Sequence, residues 1–377
     1  RESMEPFFQE LFSELIEGGF FTHFSLDLQG TNLLIHHAKI SNVHMTGGHY
    51  THDKIVWGND VDANKKNNTP VLKKPMTSEL GCITPWMICP QGEWTEKQLW
   101  RQAGQLAMAF CYNDSFNCLS PKVLLIDEQW PQYETFLTCL RQILQKVPTP
   151  ASYYPGAEKR YNDFLDAYEP KAIEVINSPT APKSLDVPSL PWTLVHLNKN
   201  NRSYAFNNEA FAPILAICPI QAGNSVKEFL SQCAEICNKQ IWGNLSCSII
   251  IDDQSAKEQA QELDHAIHEL RYGGIAINLW TSQLYAMTRC SWGGYPGNPL
   301  EDISSGIGIV NNSFGVPHAE KSVLWSSFED DNQLYFRKDG SYPVTYKMCV
   351  NIVRVLKKPS IINISRLILG QIFSGRA

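Results

Sequence analysis

The sequence predicts an α/β fold with parallel strands. Two observations carry that prediction. Segments with a helical apolar period alternate with short β-rich runs along the 377 residues. Several of those runs, Val123-Leu124-Leu125-Ile126 among them, are continuously apolar, as a buried strand is. The length exceeds one ordinary domain, so two lobes are expected.

Residues 6–17 place Phe7, Phe8, Leu11, Phe12, Leu15 and Ile16 on one helical face, and Gly18-Gly19 stops the helix. A short strand is expected near Phe21–Leu28, then a helix-like LLIHH, then a strand around Ile40–Met45. Thr46-Gly47-Gly48 closes that strand ahead of a helix, HYTHDKIVWG. Such a turn can turn backbone N–H groups toward a phosphate, although an ordinary βα turn looks the same. Gly58–Pro75 reads as a polar surface loop. Thr95-Glu96-Lys97-Gln98 is a capping box opening a helix with Leu99, Ala103, Leu106 and Phe110 inward. A helix over Tyr133–Val147 follows the strand at Val123–Ile126, and residues 148–190, rich in Pro and Tyr, give no clear period. Beyond them come a strand at Trp192–Leu197, a polar turn and buried strand in Phe206–Ile220, and a helix opened by a second capping box at Ser225. A strand in Gly243–Ile251, a helix over Ala256–Tyr272, a strand at Gly274–Trp280 and a rigid turn, SWGGYPGNP, complete the pattern. The stretch Met348–Ala377 is apolar and basic; packing on the body or a partner subunit is the expected role, because Pro359 interrupts the pattern, and membrane contact is the lesser alternative.

Hydrophobic residues make up 43% and charged residues 19%, a globular balance. The net charge of −6 disfavours a nucleic-acid partner. Eleven cysteines without a CxxC pattern suggest a reduced, cytoplasmic setting. Neither a signal peptide nor a membrane-spanning apolar run is read. Five histidines between His36 and His52 match no metal-site spacing.

The chemistry-bearing candidates are Cys118, between a polar turn and a strand, and Glu79, a lone carboxylate in TSELGCITP. A thiolate can attack a carbonyl and a carboxylate can activate water. Core packing is the ordinary fate of one cysteine among eleven.

Five segments, in order, resemble the aldehyde dehydrogenase superfamily over nearly the whole chain. MTGG resembles its F-T-G-S turn, TSELGCITP its E-L-G-G-K-S-P segment and NDSFNC its G-Q-x-C segment. NEAFAPI resembles E-x-F-G-P-V, and SWGGYPG resembles P-F-G-G. A subgroup with E-L-G-x-x-T-P, G-F-N-C and W-G-x-x-P-G is closer still. The resemblance implies a three-layer αβα fold: a partial Rossmann-type cofactor domain (1–78), an α/β catalytic domain (79–298), and a C-terminal return and oligomerisation segment (299–377). It implies that Cys118 is the nucleophile and Glu79 the base for the hydrolytic water. Glu209 would bind a ribose, Phe211 would pack near a nicotinamide, and Thr46, Gly47 and Gly48 would border the phosphates of NAD or NADP. The implied reaction is aldehyde to acid through a thiohemiacetal and a thioester, in a homo-oligomer. It also implies that the family's leading βαβ units, its ribose-binding Lys and its oxyanion-hole Asn precede Arg1.

Departures are Gly48 for Ser, Cys82-Ile83 for Gly-Lys and Ala212 for Gly. Counted back from Lys122, the nucleophile slot falls on Asn117; a one-residue deletion after the thiol puts it on Cys118, and Asn cannot supply a thiolate. Two alternatives stand beside the enzyme: a catalytically inactive relative with a structural or interaction role, and an acylating relative using coenzyme A, against which Glu79 argues.

Overall fold

Proline and uninterrupted aliphatic runs set the architecture. The structure, a computed structural model, describes residues 5–90, 92–180, 187–312, 314–330, 335–341 and 346–366. The chain divides into two compact units, Arg1–Met45 with Tyr50–Thr77, and Thr46–His49 with Ser78–Ala377.

In the first unit, helices α1 (Glu5–Leu11), α2 (Ser13–Glu17) and α3 (Leu28–His36) bury no residue. The single helix expected over 6–17 is broken at Phe12, which takes non-helical angles, and the six-residue apolar face is exposed or half-buried. The strand expected near Phe21–Leu28 is absent. Asp27 instead accepts from the Gly30 amide and starts α3, because an Asx cap competes well with an isolated extended segment. Strand β1 (Val43–Gly47) precedes α4 (His49–Trp57), and Gly58, with φ +76°, ends that helix. The polar stretch after it contains α5 (Val61–Asn67), whose Lys65 pairs with Asp53 at 2.7 Å. Strand β2 (Met76–Leu80) follows.

The second unit continues with β3 (Thr84–Ile88), α6 (Glu96–Cys111), β4 (Pro121–Asp127), α7 (Tyr133–Leu144), α8 (Ala157–Asp166), β5 (Ile173–Val175), β6 (Thr193–His196), α9 (Ser203–Asn207) and β7 (Ile214–Ile220). Then come α10 (Val226–Lys239), β8 (Ser246–Ile250), α11 (Asp253–Glu258), α12 (Ala260–Glu269), β9 (Gly274–Ile277), α13 (Ser282–Ala286), β10 (Gly306–Ile307), β11 (Ser322–Trp325) and α14 (Tyr346–Lys357). Eight strands form one sheet in the order β11-β9-β8-β3-β4-β7-β6-β5. Every neighbouring pair is parallel except β5 with β6. All residues of β3, β4, β8 and β9 are buried, which explains their lack of alternation: a parallel sheet is covered on both faces. The helix expected over Ala256–Tyr272 is two helices, split at Gln259.

The sheet begins in its middle. From β3 and β4 the chain goes to the far edge at β5 and comes back inward through β6 and β7 to lie beside β4, then fills the other side with β8, β9 and β11. Between β3 and β4 the ladder slips: Thr84 faces Pro121, but Pro85 faces Val123, so Lys122 is one residue extra. Pro85 has no N–H to give the ladder, and proline in a central strand is tolerated at such a bulge.

Pro359 interrupts the C-terminal helix as expected, with residues 361–366 helical again; residues 367–377 of the basic tail lie outside the described residues. Among the described residues no helix is long and apolar enough to cross a membrane.

Candidate active site

The two adjacent strands β3 and β4 bring together residues 79 and 118. Glu79 is the penultimate residue of β2, shortly before β3, and Cys118 lies just before β4, so both sit near the amino ends of neighbouring strands. The Cys118 thiol lies 3.4 Å from Glu79 Oε1, and the Trp292 indole N–H donates to the same oxygen at 3.3 Å. Glu79 and Trp292 are buried and Cys118 is half-buried. Glu79 is steadied by β10, with Gly306 opposite it in the antiparallel ladder. Gly306 has φ +113°, and a Cβ there would collide with the Ser78 carbonyl oxygen.

The loop carrying the thiol is strained and tightly held. Asn113, Asp114 and Ser115 all take left-handed angles, φ 51°, 55° and 66°. Each costs on the order of 1–2 kcal/mol for a residue with a Cβ, with Asn and Asp the more tolerant. Surrounding bonds hold the loop in place. The Ser115 and Ser120 hydroxyls meet at 2.8 Å, and Tyr153 donates to the Asn113 carbonyl at 3.1 Å. Thr84 donates to the Cys118 carbonyl at 2.9 Å, and Trp280 to the Leu119 carbonyl at 2.8 Å. Lys122, the extra residue of the bulge, turns beneath the loop and donates to the carbonyls of Asn117 (2.7 Å) and Ser120 (2.8 Å). Asn117 closes the turn itself, accepting from the Leu119 amide and donating to the Tyr112 carbonyl. So the amide is used within the loop and the thiol is the group that faces Glu79. Among the described residues nothing accepts from the Cys118 backbone N–H.

Glu209 stands on the turn before β7, with its carboxylate 3.8 Å from Lys122 Nζ. It lies flat against Gly81, where any Cβ would collide with Glu209 Oε2. Glu209 Oε1 is buried without a hydrogen-bond partner. Phe211 holds a left-handed φ of 39°, uncommon for an aromatic, and its ring lies 5.0 Å from Tyr154 and 6.3 Å from Phe116. Thr46, Gly47 and Gly48 are exposed, and the next residue, His49, sets its ring 4.7 Å from that of Trp242, tilted by 52°. The Trp242 carbonyl accepts from the Ile83 amide, four residues after Glu79. The structure therefore joins Cys118 to Glu79 directly and Glu209 to the thiol loop through Lys122, while Thr46 and Gly47 lie in β1, which pairs with β2, the strand that carries Glu79.

Electrostatics follow from burial. Desolvation, then the charges of Glu79 and Glu209, push the Cys118 thiol well above its usual range, and Lys122 pulls it down. Burial raises the Glu209 carboxyl to about 7 against the pull of Lys122. Burial also lowers the Lys122 ammonium, with Glu209 opposing. Trp292 and the bracing role of Lys122 were not legible beforehand; the first stood in a turn read only as rigid, the second served only to count register. Among the described residues no cluster of three or more His, Cys, Asp or Glu could hold a metal ion.

No protein-family model matches the sequence, and no curated protein matches it either. Solved structures do. Aldehyde dehydrogenase 21 from Physcomitrella patens, in complex with the reaction product succinate, is similar with a TM-score of 0.56 at 14% identity, over 78% of this chain and 53% of that one. Glyceraldehyde-3-phosphate dehydrogenase GapN from Methanocaldococcus jannaschii, complexed with NADP, gives 0.54 at 14% identity, over 74% and 53%. An NAD-dependent aldehyde dehydrogenase from Sinorhizobium meliloti gives 0.56 at 16%, over 75% and 50%. The chain thus spans about half the length of these enzymes. Over about three quarters of its own length, it has the aldehyde dehydrogenase fold.

Proposed function

We propose that this chain carries the thiol half of an NAD(P)-dependent aldehyde dehydrogenase, oxidising an aldehyde to a carboxylic acid. The observation that supports it most is the 3.4 Å contact between residues 39 positions apart, Cys118 and Glu79. Cys118 Sγ attacks the aldehyde carbon, and Glu79 Oε1 is placed to take the thiol proton. The unpaired Cys118 N–H donates to the oxygen as it becomes negative. Once the carbonyl carbon has lost its hydride and the sulfur carries an acyl group, Glu79 gives up the thiol proton to solvent and, a carboxylate again, takes a proton from water, which hydrolyses the thioester and frees the acid.

The residues present fit a dinucleotide. Glu209 Oε1 is a buried acceptor without a hydrogen-bond partner, suited to a ribose hydroxyl, and the exposed Gly48, between β1 and the start of α4, suits a phosphate. Bound there, the nicotinamide supplies the hydride acceptor. Phe211 would pack beside it.

Incubating the protein with aldehydes and NAD or NADP tests this reading. Reduced cofactor is expected to form, Cys118→Ala to abolish it, and Glu79→Gln to slow turnover about 10²–10⁴-fold while an acyl adduct accumulates on Cys118 by mass spectrometry. Unchanged turnover in Cys118→Ala would sink the proposal. A second reading, a catalytically silent relative, is favoured by the protonated state that burial and two carboxylates impose on the thiol. It expects no selective alkylation of Cys118 and no shift in melting temperature with cofactor.

A further inference from the structure

Beside the thiol loop lies an aromatic cluster that the proposed chemistry does not use. Phe116, two residues before Cys118, meets the rings of Tyr153 (5.1 Å), Tyr154 (5.7 Å) and Phe211 (6.3 Å). Two cations reach this cluster: Lys122, whose ammonium lies 5.8 Å from the Phe211 ring centroid and is already bonded to the thiol loop, and the Arg160 guanidinium from the first turn of α8. It lies 5.6 Å from the Tyr154 ring centroid and 5.8 Å from that of Phe211. Gly156, with φ +73°, opens α8, and Arg160 Nη1 donates to the Pro155 carbonyl at 3.0 Å. That bond leaves the other edge of the guanidinium unused. Both Nε and Nη2 are buried and have no hydrogen-bond partner.

This pattern is unusual in a half-buried arginine. A buried N–H without an acceptor costs about 1–3 kcal/mol, and here two occur on one side chain. The Nε–Nη2 edge is the two-pronged edge that matches two oxygens of a carboxylate or phosphate. The two rings hold the plane of the fork, so little rotamer freedom is left to lose on binding. Glu209 is near enough for its charge to be felt at Arg160, yet its Oε1 also lacks a hydrogen-bond partner, so the two do not satisfy one another.

We infer that Arg160 is an oxyanion-binding residue of this site, reading either a remote carboxylate on the substrate or a phosphate of the cofactor through its Nε–Nη2 edge. The inference places an anion in the site named under the proposed function but needs no turnover, so binding tests it separately. Succinate and NAD are titrated into the full chain by calorimetry, wild type against Arg160→Gln and Arg160→Lys.

Loss of a charge-assisted bidentate pair is expected to weaken one probe about tenfold or more in Arg160→Gln. Succinate as the weakened probe assigns the substrate's carboxylate, and NAD assigns the cofactor's phosphates. Weakening of both at an unchanged melting temperature supports the oxyanion site without separating the sources. Should Arg160→Gln melt early, Arg160→Lys decides, since it keeps the charge and loses the fork; at least a threefold weakening of one probe is then required. Unchanged binding of both probes overturns the inference, and so does a wild type that binds neither. A wild type that binds through Arg160 yet oxidises no aldehyde would instead refute the proposed activity and leave this residue's role standing.

Discussion

The eight-stranded sheet and the first helices of the chain obey the same hydrophobic rule with opposite results. In β3 and β4 every side chain is buried, whereas α1, α2 and α3 bury none, and Phe20 is 85% and Leu28 91% exposed. Both sets of segments carry large apolar side chains. What differs is partnership: a central strand has neighbours on both edges and layers on both faces, while an amphipathic helix is stabilised mainly by what it packs against. A periodic apolar face states a demand for burial and says nothing of whether it is met.

The largest test of that contrast is truncation. Leu124→Ala, in β4, is expected to cost about 2–5 kcal/mol by chemical denaturation, and Phe20→Ser to stay within about 0.5 kcal/mol. Equal losses would break the comparison, because Phe20 would then be covered in solution. Next in size is a titration inside the second unit. The Glu209 carboxyl is raised from its ordinary 4.5 to about 7, so the folded state holds a proton that the unfolded chain releases. Its stabilising share is complete below pH 4.5 and is lost as pH rises through about 7. That gap corresponds to about 3 kcal/mol. Glu209→Gln should flatten the fall in stability between those pH values, and a wild type with no such fall would contradict it. The smallest test compares helix caps. Thr95→Ala removes a reciprocal capping box from the buried helix α6 and should cost about 1 kcal/mol. Asp27→Ala uncaps α3, which buries nothing, so hydrogen exchange in α3 should quicken while the global midpoint barely moves.

Much of the second unit was legible because its signals are local. The capping box at Thr95 is present with both bonds, Ser225 caps α10, and the run Val123–Ile126 is the centre of β4. The motif residues 79 and 118 meet because their segments flank adjacent strands, whereas in the sequence only their chemistry and the family resemblance paired them. Other parts depend on tertiary neighbours and left little trace. Trp292 reaches Glu79 across 213 positions. The edge strand β11 is only half-buried and shows no clear alternation. Helix α8 did carry a period, Ala157, Tyr161 and Phe164 being its buried residues, but the Pro- and Tyr-rich sequence around it hid the signal. In the first unit Phe12 and Asp27 broke the regular pattern, one by bending a helix and the other by capping one where a strand was expected.

The bulge at Lys122 has a consequence for how this chain can vary. Side chains on a strand alternate between faces, so deleting that one residue would restore an even ladder and turn everything just upstream by half a pleat. Cys118 would then point away from residue 79 with no change in either side chain. The stretch before β4 can thus exchange amino acids far more readily than it can change length.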